Sequence, residues 1–401
     1  MILGQRIRLD PNNAQATFFD RCAGAARFTF NWALDRWQKQ YEAGENPNWR
    51  KLQVHLNAIK ADEFPWMREL PWAIPVVSLM DLGAAFTNFF RRVKQGNPRP
   101  GYPQFKSKKR DKPAFAIEGR ALQFDGRKVK IPKLGWVRTR QEVRFPGKIL
   151  SARFSKHAGH WYVSIQVEVA DSWVYPHRCE TQDAVGVDLG VRDLAVLSTG
   201  EKIEAPRSLR AHEKQLRRLN KGLSRRTKGG ANWKKTKAKL GRLHERISNI
   251  RKDVTHKLTT SLVKRFRIIG IEGLNVVGMT VNRRLAKSVM DAAMSEIGRQ
   301  LQYKSALAGG ETIVADRWFP SSKLCSDCGT RRESPLSLSA REWVCESCGA
   351  VHDRDVNAAK NLRTAALAGI ACRHGSADAS LKTGVEPPLG QESSSVTNFD
   401  R

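Results

Sequence analysis

The sequence predicts an α/β protein made of several domains, and three observations lead to that prediction. The chain has 401 residues, of which 40% are hydrophobic, enough for two or three sizeable cores. Segments with strand-like alternation are interspersed with long stretches in which apolar residues recur every three or four positions. Four cysteines towards the C-terminus form two CxxC pairs, which are typical of a small module held together by a metal.

The charge of the chain points to a polyanionic partner. Its 70 Lys and Arg residues outnumber its 39 Asp and Glu residues and give a net charge of +31. A net charge of about 2–8 is enough to keep a small domain soluble, so this excess favours nucleic acid binding. A membrane surface is the alternative, but the sequence shows neither an amphipathic anchor nor a lipidation motif.

The sequence also predicts a cytoplasmic protein without a membrane partner. The N-terminal residues lack the apolar core of a signal peptide, and no apolar run approaches the roughly 18–20 residues that cross a bilayer. Cys22, Cys179 and Cys372 are scattered, while the other four cysteines are paired. This usage is typical of a metal site in a reducing compartment.

The N-terminal half alternates between strand and helix. Residues 1–10 read as a strand, and residues 12–95 read as helical because their aromatic and aliphatic residues recur at helical spacing. The prolines and lysines of 96–112 predict an exposed basic loop. Residues 113–170 alternate as strands, and residues 171–182 read as a linker.

A second domain starts near Ala184 with an apolar strand, a turn and another strand. Residues 207–267 then carry 21 Lys and Arg but only three acids, and leucines between Leu240 and Leu262 predict a long amphipathic helix. A shorter helix precedes it, with Gly229 in the turn. A solvated surface is the alternative, yet charge this one-sided would repel itself without a polyanion, which favours contact with nucleic acid.

The cysteines follow the spacing of a four-cysteine zinc ribbon. Cys325 and Cys328 form one CxxC pair, Cys345 and Cys348 form the other, and 16 residues separate the pairs. Two such knuckles can close a tetrahedral zinc site. Four thiolates leave no open coordination position, so we expect one structural rather than catalytic zinc.

Three acids stand in or beside short apolar runs. Asp188 ends the run that starts at Ala184, Glu272 follows an apolar strand that starts at Ile268, and Asp355 opens a helical stretch. Each signal is weak alone. For Asp355 and its neighbour Asp353 the alternative is a helix N-cap, where aspartate is favoured.

Taken together, the acids follow the order of an RNase H-like domain, in which a first strand, a central strand and a late helix bring carboxylates to one point. Mg²⁺ prefers such oxygen ligands. Two Mg²⁺ ions about 4 Å apart can activate a water and stabilise the leaving oxygen of a phosphodiester. The sequence therefore predicts a metal-dependent nuclease, since clustered carboxylates would otherwise repel each other.

Longer motifs resemble the TnpB family, also called OrfB, whose members are encoded in insertion sequences and are related to type V CRISPR effectors. The resemblance runs from the first strand to about residue 365. It rests on GVDLG (186–190), the basic helical arm, and the segments AARFTFNWAL (25–34), PGYPQFKSKKR (100–110), IEGLNVVGM (271–279), LAKSVMDAAMSEIGRQLQYK (285–304), FPSSKLCSDCG (319–329) and CESCGAVHDRDVNAAKNL (345–362).

The resemblance implies an RNA-guided DNA endonuclease with one RuvC-type site that holds Mg²⁺. Such proteins bind a noncoding RNA from their own transposon end, read a short motif beside the target, and cut both DNA strands. The family's acids fall on Asp188, Glu272 and Asp355, for which Asp353 is the poorer match. Gly273 departs from the family, where many members carry an acid. One protein monomer per RNA is expected.

The resemblance also implies the domain architecture and the residues that contact nucleic acid. A β-barrel-like domain is expected from 1–12 and 113–180, a helical recognition domain from 13–112, a RuvC-like domain from 183–365 with a basic arm (207–267) and an inserted zinc ribbon (319–351), and a disordered tail from 366–401. The basic residues expected to contact nucleic acid are Lys106, Lys108, Lys109, Arg110, Arg217, Arg218, Arg225, Arg226, Lys234, Lys235 and Lys323.

Three other functions fit parts of the sequence. A nuclease-inactive guided repressor would bind without cutting, although the three acids are kept. A transposase that joins DNA ends directly could use the same acids. A zinc-ribbon adaptor without activity would leave the acids unexplained.

Overall fold

The computed structural model describes residues 1–170, 173, 183–333 and 340–383, with side chains up to residue 369. Cys179, the Cys372 side chain and nearly all of the predicted linker therefore lie outside the described residues. The chain divides into two compact units, Met1–Trp173 and Val174–Arg401.

The first unit contains three α-helices and seven strands among its described residues. These are β1 (Ile2–Arg8), α1 (Asn13–Glu42), α2 (Trp49–Ile59), α3 (Ala73–Lys94), β2 (Ala114–Glu118), β3 (Gln123–Asp125), β4 (Lys128–Ile131), β5 (Gly135–Arg138), β6 (Lys148–His157) and β7 (His160–Glu168). The strands form an antiparallel sheet in the order β1-β7-β6-β2 and a smaller sheet in the order β3-β4-β5.

Helix α1 belongs to two cores, so the helical segment is not separate from the sheets. Near its start, Phe19 packs against Phe115, Phe154 and Trp161, with ring centroids 5.2–5.7 Å apart. Further along, α1 contributes Phe30 and other residues to a second core shared with α2 and α3. The predicted helical domain of 13–112 therefore shares its first helix with the sheet core.

Helix α3 contains a longer apolar run than the sequence analysis expected. By length and composition alone, α3 could cross a membrane. Leu79, Leu82 and Phe86 of α3 are nevertheless buried in the helical core, where an apolar helix of a folded domain packs.

The second unit contains a mixed sheet, a helical hairpin and a small two-stranded ribbon. Its described elements are β8 (Ala184–Asp188), β9 (Asp193–Leu197), β10 (Lys202–Glu204), α4 (Ser208–Ser224), α5 (Ala231–Arg265), β11 (Ile268–Glu272), α6 (Val276–Val281), α7 (Ala286–Ala292), α8 (Met294–Leu307), β12 (Glu311–Ala315), β13 (Glu342–Val344), β14 (Val351–Asp353) and α9 (Arg354–Thr383).

The main sheet has the strand order β10-β9-β8-β11-β12. Strand β9 pairs antiparallel with both β8 and β10, whereas β11 runs parallel to both β8 and β12. Alternate residues of β8 and β11, such as Val187 and Ile271, are buried in a core with α5 and α8. The predicted long amphipathic helix is confirmed as α5, and Gly229, with φ of 90°, lies in the turn before it.

The C-terminal end corrects a second expectation. The tail was expected to lack structure from residue 366, but α9 continues to Thr383. Ala366 is buried, because it packs against the sheet beside Gly270. Residues 384–401 lie outside the described part of the chain.

Candidate active site and metal centre

Two glycines allow α9 to lie directly on the sheet. Gly186 and Gly270 face the side of the sheet opposite the apolar core, because side chains alternate along a strand. A Cβ atom on Gly186 would lie 1.8 Å from the Ala359 carbonyl oxygen, and one on Gly270 would lie 2.4 Å from that of Leu362. Only residues without a side chain permit this contact between backbones.

This packing brings the three predicted acids to one edge of the sheet. Asp188 and Glu272 are the last residues of the adjacent parallel strands β8 and β11, on the same face as the glycines. Asp355 precedes Ala359 by one helical turn, about 5.4 Å. Asp188 lies two residues beyond Gly186, about 6.6 Å along the strand. The first turn of α9 therefore lies over the carboxyl ends of the two strands.

The electrostatics of this edge reflect burial first and neighbouring negative charge second. Burial, followed by the charges of Asp355 and Glu272, raises the pKa of Asp188 to about 7, while Arg354 acts in the opposite direction. Burial also raises the pKa of Glu272. Both shifts disfavour the ionised carboxylates, which a bound cation would stabilise.

Asp188 and Asp355 line a cavity of about 770 Å³, whereas Glu272 is not among its lining residues. Seven of its twelve charged lining residues are basic, six arginines and one lysine, and this positive rim suits a polyanionic ligand. The basic lining residues are Arg192, Arg207, Arg210, Arg284, Lys287, Arg341 and Arg354.

Asp353 and Asp355 have different partners. Oδ1 of Asp353 accepts hydrogen bonds from the backbone N–H groups of Asp355 (3.1 Å) and Val356 (3.0 Å), and Oδ2 accepts from Nζ of Lys202 at 2.6 Å. Burial opposes ionisation, but these bonds hold the pKa of Asp353 below its ordinary value. Asp353 is therefore the cap of α9, the role that the sequence left open between the two acids.

Asp355, by contrast, is directed to the cavity. Its Oδ2 accepts a hydrogen bond from Nη1 of Arg341 at 3.0 Å, and both residues line the cavity. Arg341 precedes the second CxxC pair, so it connects the ribbon to the acid edge. Sequence reasoning missed Arg341, because nothing local distinguishes it from the chain's many other arginines.

The four cysteines form a group that could hold a metal ion. Their Sγ atoms all lie within 4.8 Å of one another, and across residues 1–170, 173, 183–333 and 340–369 no other group of three or more potential ligands is this tight. The acids at the sheet edge are thus more widely spread. Sγ–Sγ distances of 3.6 Å (Cys325 to Cys348) and 3.7 Å (Cys328 to Cys345) match the edge of about 3.8 Å expected for tetrahedral zinc thiolates.

A histidine that sequence reasoning did not identify supports this centre. Nε2 of His352 lies 3.1 Å from Sγ of Cys325, and the imidazole is buried against the ring of Trp343. A ring N–H directed at the sulfur would orient it and stabilise its thiolate form.

Two asparagines fasten the first knuckle of the ribbon to α9. Nδ2 of Asn357 donates to the Leu324 carbonyl oxygen at 2.7 Å, and its Oδ1 accepts from Ser326 N at 2.8 Å. One turn later, Nδ2 of Asn361 donates to the Ser321 carbonyl oxygen at 2.7 Å. The sequence signal is a pair of asparagines four residues apart on a buried helix face, where an unpaired amide would be costly.

The predicted nucleic-acid contacts are mostly exposed, with one clear exception. Lys106 is half-buried, its backbone exchanges two hydrogen bonds with Asn31 (2.7 and 2.8 Å), and its Nζ lies 3.7 Å from the centroid of Phe30. Burial lowers its pKa. Lys106 therefore fastens the loop to α1, which corrects its assignment to an exposed loop.

The other ten predicted basic contacts are exposed, although some also have protein partners. Arg217 pairs with Glu213 at 2.9 Å, and Arg226 donates to the Asn232 carbonyl oxygen at 3.0 Å. The remaining members of this exposed group are Lys108, Lys109, Arg110, Arg218, Arg225, Lys234, Lys235 and Lys323.

Three family models match parts of this chain. A model described as "Probable transposase" matches residues 164–283, one described as "Cas12f1-like, TNB domain" matches residues 295–362, and one described as "Helix-turn-helix domain" matches residues 1–46. In this chain, residues 1–46 contain strand β1 followed by the single long helix α1.

Individual proteins match over most of the chain. A protein of Streptomyces pristinaespiralis named "Putative RNA-guided DNA endonuclease" is 36% identical over 92% of this chain and 90% of its own length. A protein of Escherichia coli strain K12, named "Putative RNA-guided DNA endonuclease InsQ", is 35% identical over 92% of this chain and 93% of its own length.

A solved structure of a Cas12f1–sgRNA–target DNA complex aligns with 90% of this chain and 99% of its own, at 14% identity and a TM-score of 0.33. The sequence relatives carry more weight, because they match nearly end to end at more than a third of positions. The chain belongs to the TnpB (OrfB) family.

Proposed function

We propose that this protein is an RNA-guided DNA endonuclease that hydrolyses phosphodiester bonds at Asp188, Glu272 and Asp355. The observation that carries the proposal is the packing of α9 on Gly186 and Gly270, which gathers the three acids at one sheet edge. Relatives named as RNA-guided DNA endonucleases, matched over nine-tenths of this chain, support the guide RNA and double-stranded DNA as partners.

The sheet supports assignment of residues 183–365 to an RNase H-like, RuvC-type domain. Strand β8 opens an antiparallel hairpin with β9, the parallel strand β11 lies on its other side, and α9 crosses the sheet face that carries Gly186 and Gly270. Acids on a first strand, a neighbouring strand and a late helix are the arrangement expected of that fold. The other domain boundaries expected from the sequence belong to the same proposal.

The carboxylates fit Mg²⁺, because they are hard oxygen donors and because burial, followed by the charges of Asp355 and Glu272, raises the pKa of Asp188. When bound, two Mg²⁺ ions would activate the attacking water and stabilise the leaving oxygen. The chain's own contribution is position. The strand ends and α9 hold the carboxylates in place, and the basic rim orients a phosphate beside them.

The four-cysteine centre fits one structural zinc. Its thiolates leave no open position, and its Sγ–Sγ distances agree with a tetrahedral site. Because Asn357 and Asn361 bind the first knuckle to α9, zinc would stabilise the helix that carries Asp355. A zinc site needs four cysteines that are reduced rather than joined in disulfides, which suits a reducing compartment, so we place the protein in the cytoplasm.

A transposase that joins DNA ends directly is the second candidate, favoured by the family model described as "Probable transposase". The two functions differ in their need for RNA. An endonuclease of the proposed kind would cut a target matched by its guide, leave the ends unjoined, and require a short motif beside the target. The alternative enzyme would act on transposon ends without RNA.

The test is to purify the protein, sequence any RNA that copurifies, and reprogram the guide segment of that RNA towards a plasmid. We expect cleavage of the matched plasmid with Mg²⁺ and none by the Asp188→Ala variant. Cleavage without RNA, or equal cleavage by the variant, would contradict the proposal.

A further inference from the structure

Trp318 is an exposed aromatic side chain whose position is not explained by packing. It is 79% exposed, although tryptophan is the largest apolar side chain and usually buries most of its ring. It lies outside the cores of the second unit. An aromatic ring left in solvent is available to a ligand.

The ring projects from a short, well-fixed turn. The backbone N–H of Trp318 donates to Oδ1 of Asp316 at 2.8 Å, and that of Phe319 donates to the Asp316 carbonyl oxygen at 3.0 Å. The guanidinium of Arg317 lies 4.9 Å from the centroid of the Trp318 ring. A cation over an aromatic face restricts both side chains and makes the surface electropositive.

The turn follows the strand next to the acid edge. Strand β12 pairs with β11 so that Ala315 lies opposite Glu272, three residues before Trp318. A Cβ atom on Gly273 would lie 2.7 Å from the Ala315 carbonyl oxygen and 3.5 Å from Arg317 N. The absence of a side chain at Gly273, where many family members carry an acid, lets the turn approach the residue that follows Glu272.

We propose that Trp318 and Arg317 form a stacking platform for an unpaired base of a single-stranded DNA segment presented to the acid edge. This inference rests on the proposed nuclease function and adds a positioning site to it. Every base offers a π face, so a ring that stacks bases needs no particular sequence. Arg317 and the exposed Lys323 supply positive charge for the adjoining phosphates.

An exposed tryptophan could also anchor a protein partner. The flanking cations and the net charge of +31 favour a polyanion instead. A protein anchor would leave the affinity for single-stranded DNA unchanged when Trp318 is replaced, so the same experiment separates the two.

The test uses the full-length Asp188→Ala chain as purified, which we expect to bind DNA without cutting it, and a mixed-sequence single-stranded DNA carrying 2-aminopurine. We expect Trp318→Ala to lower the affinity about 5- to 150-fold and to remove the quenching of 2-aminopurine by stacking. Trp318→Phe keeps an aromatic face and should restore most of both signals. Val351→Ala, which shortens a side chain that is 71% exposed on the ribbon, is the control and should change neither.

Salt dependence separates the two members of the platform. Stacking releases no counterions, so Trp318→Ala should leave the slope of log affinity against log salt unchanged. Arg317→Gln should reduce that slope by about 0.7 if one phosphate contact is lost. Zinc content should stay the same in all variants.

Equal affinity and equal quenching for Trp318→Ala and the parent would overturn the platform. That result is distinct from failure of the proposed function, because the binding assay needs no cleavage. A wild-type chain that does not cut guided DNA would overturn the function while this binding difference could still be measured.

Discussion

The ribbon and the acid edge lie in the same unit but are built in different ways. In the ribbon, four ligands come from two CxxC pairs, and local turns bring their Sγ atoms within 4.8 Å. At the acid edge, Asp188, Glu272 and Asp355 are far apart in the chain and meet because Gly186 and Gly270 admit α9. Spacing along the sequence specifies the first site, and packing between distant elements specifies the second.

The largest effect is expected from substitutions that remove one carboxylate from the acid edge and leave the ribbon unchanged. Asp188→Ala, Glu272→Ala and Asp355→Ala should each reduce guided cleavage with Mg²⁺ at least about 10³-fold, and a double variant should be no worse because the ligands act as a unit. Guided DNA binding should persist, because we assign the affinity to the basic surface rather than to the acids.

Asp353→Ala is the matched control two residues away. It removes the cap of α9 and should cost about 1 kcal/mol of stability, with substantial cleavage retained. Loss of cleavage in Asp353→Ala together with an active Asp355→Ala would assign the third ligand to Asp353.

The second prediction removes a zinc ligand from the ribbon and tests whether the acid edge depends on the ribbon. Cys345→Ser should lose the zinc, unfold the ribbon and lower cleavage more than guided binding, because the first knuckle holds α9 through Asn357 and Asn361. The binding of structural zinc contributes about 10–16 kcal/mol in zinc-finger peptides. Metal analysis and cleavage rates measure both effects.

The control is Ser347→Ala. Ser347 is exposed and lies between Cys345 and Cys348, so this variant should keep its zinc and its activity. A wild-type protein that contains no zinc would contradict this account of the ribbon. Normal cleavage by a zinc-free Cys345→Ser protein would show that the two regions are independent.

The third prediction concerns the packing that assembles the acid edge. Gly186→Ala would place a Cβ atom against the backbone of α9, which should cost about 1–3 kcal/mol or more and reduce cleavage by displacing Asp355. Gly222→Ala is the matched control, because its Cβ atom would meet nothing within 4 Å on helix α4. It should raise stability by about 0.5–1 kcal/mol. Chemical denaturation of both variants measures the difference; equal stabilities would contradict direct packing at Gly186.

The fourth prediction uses the raised pKa of Asp188, about 7 against an ordinary value of 3.8. Because the folded state holds this proton more tightly, Asp188 contributes stability below pH 4 that is lost as the pH rises to about 7. Without Mg²⁺, Asp188→Asn should therefore be more stable than wild type at pH 8, by on the order of 2–4 kcal/mol, and equally stable at pH 4. Thermal or chemical unfolding at both pH values measures this.

Addition of Mg²⁺ sharpens that test. At pH 8 the ion should raise the stability of the wild type, because it binds the folded carboxylates, and should have little effect on Asp188→Asn. Equal stability of the two proteins at pH 8 without Mg²⁺ would contradict the raised pKa of Asp188.

The difference between a site specified by spacing and a site specified by packing explains what the sequence could predict. The cysteine centre follows from spacing alone, and Asp188 and Glu272 follow from apolar runs that end in an acid. Asp353 and Asp355 could not be separated, since both precede a helix and only the contacts of Asp353 with backbone N–H groups identify the cap.

Contacts with distant residues were beyond such reasoning. Lys106 looks like part of an exposed loop until Asn31, 75 residues earlier, is seen to bind its backbone. Arg341 and the two asparagines of α9 likewise act through partners in other elements. The length of α9 was also missed, because the composition after residue 366 resembles a tail while Ala366 packs on the sheet.

The most direct measurement of the central claim is anomalous X-ray diffraction from crystals of the wild-type protein soaked in Mn²⁺, a stand-in for Mg²⁺ with the same preference for oxygen ligands. We predict anomalous density bound by carboxylate oxygens of Asp188 and Asp355, at distances of about 2.0–2.3 Å, with Glu272 completing the site. Density at Asp353 instead, or none at the sheet edge in crystals that have taken up Mn²⁺, would contradict it.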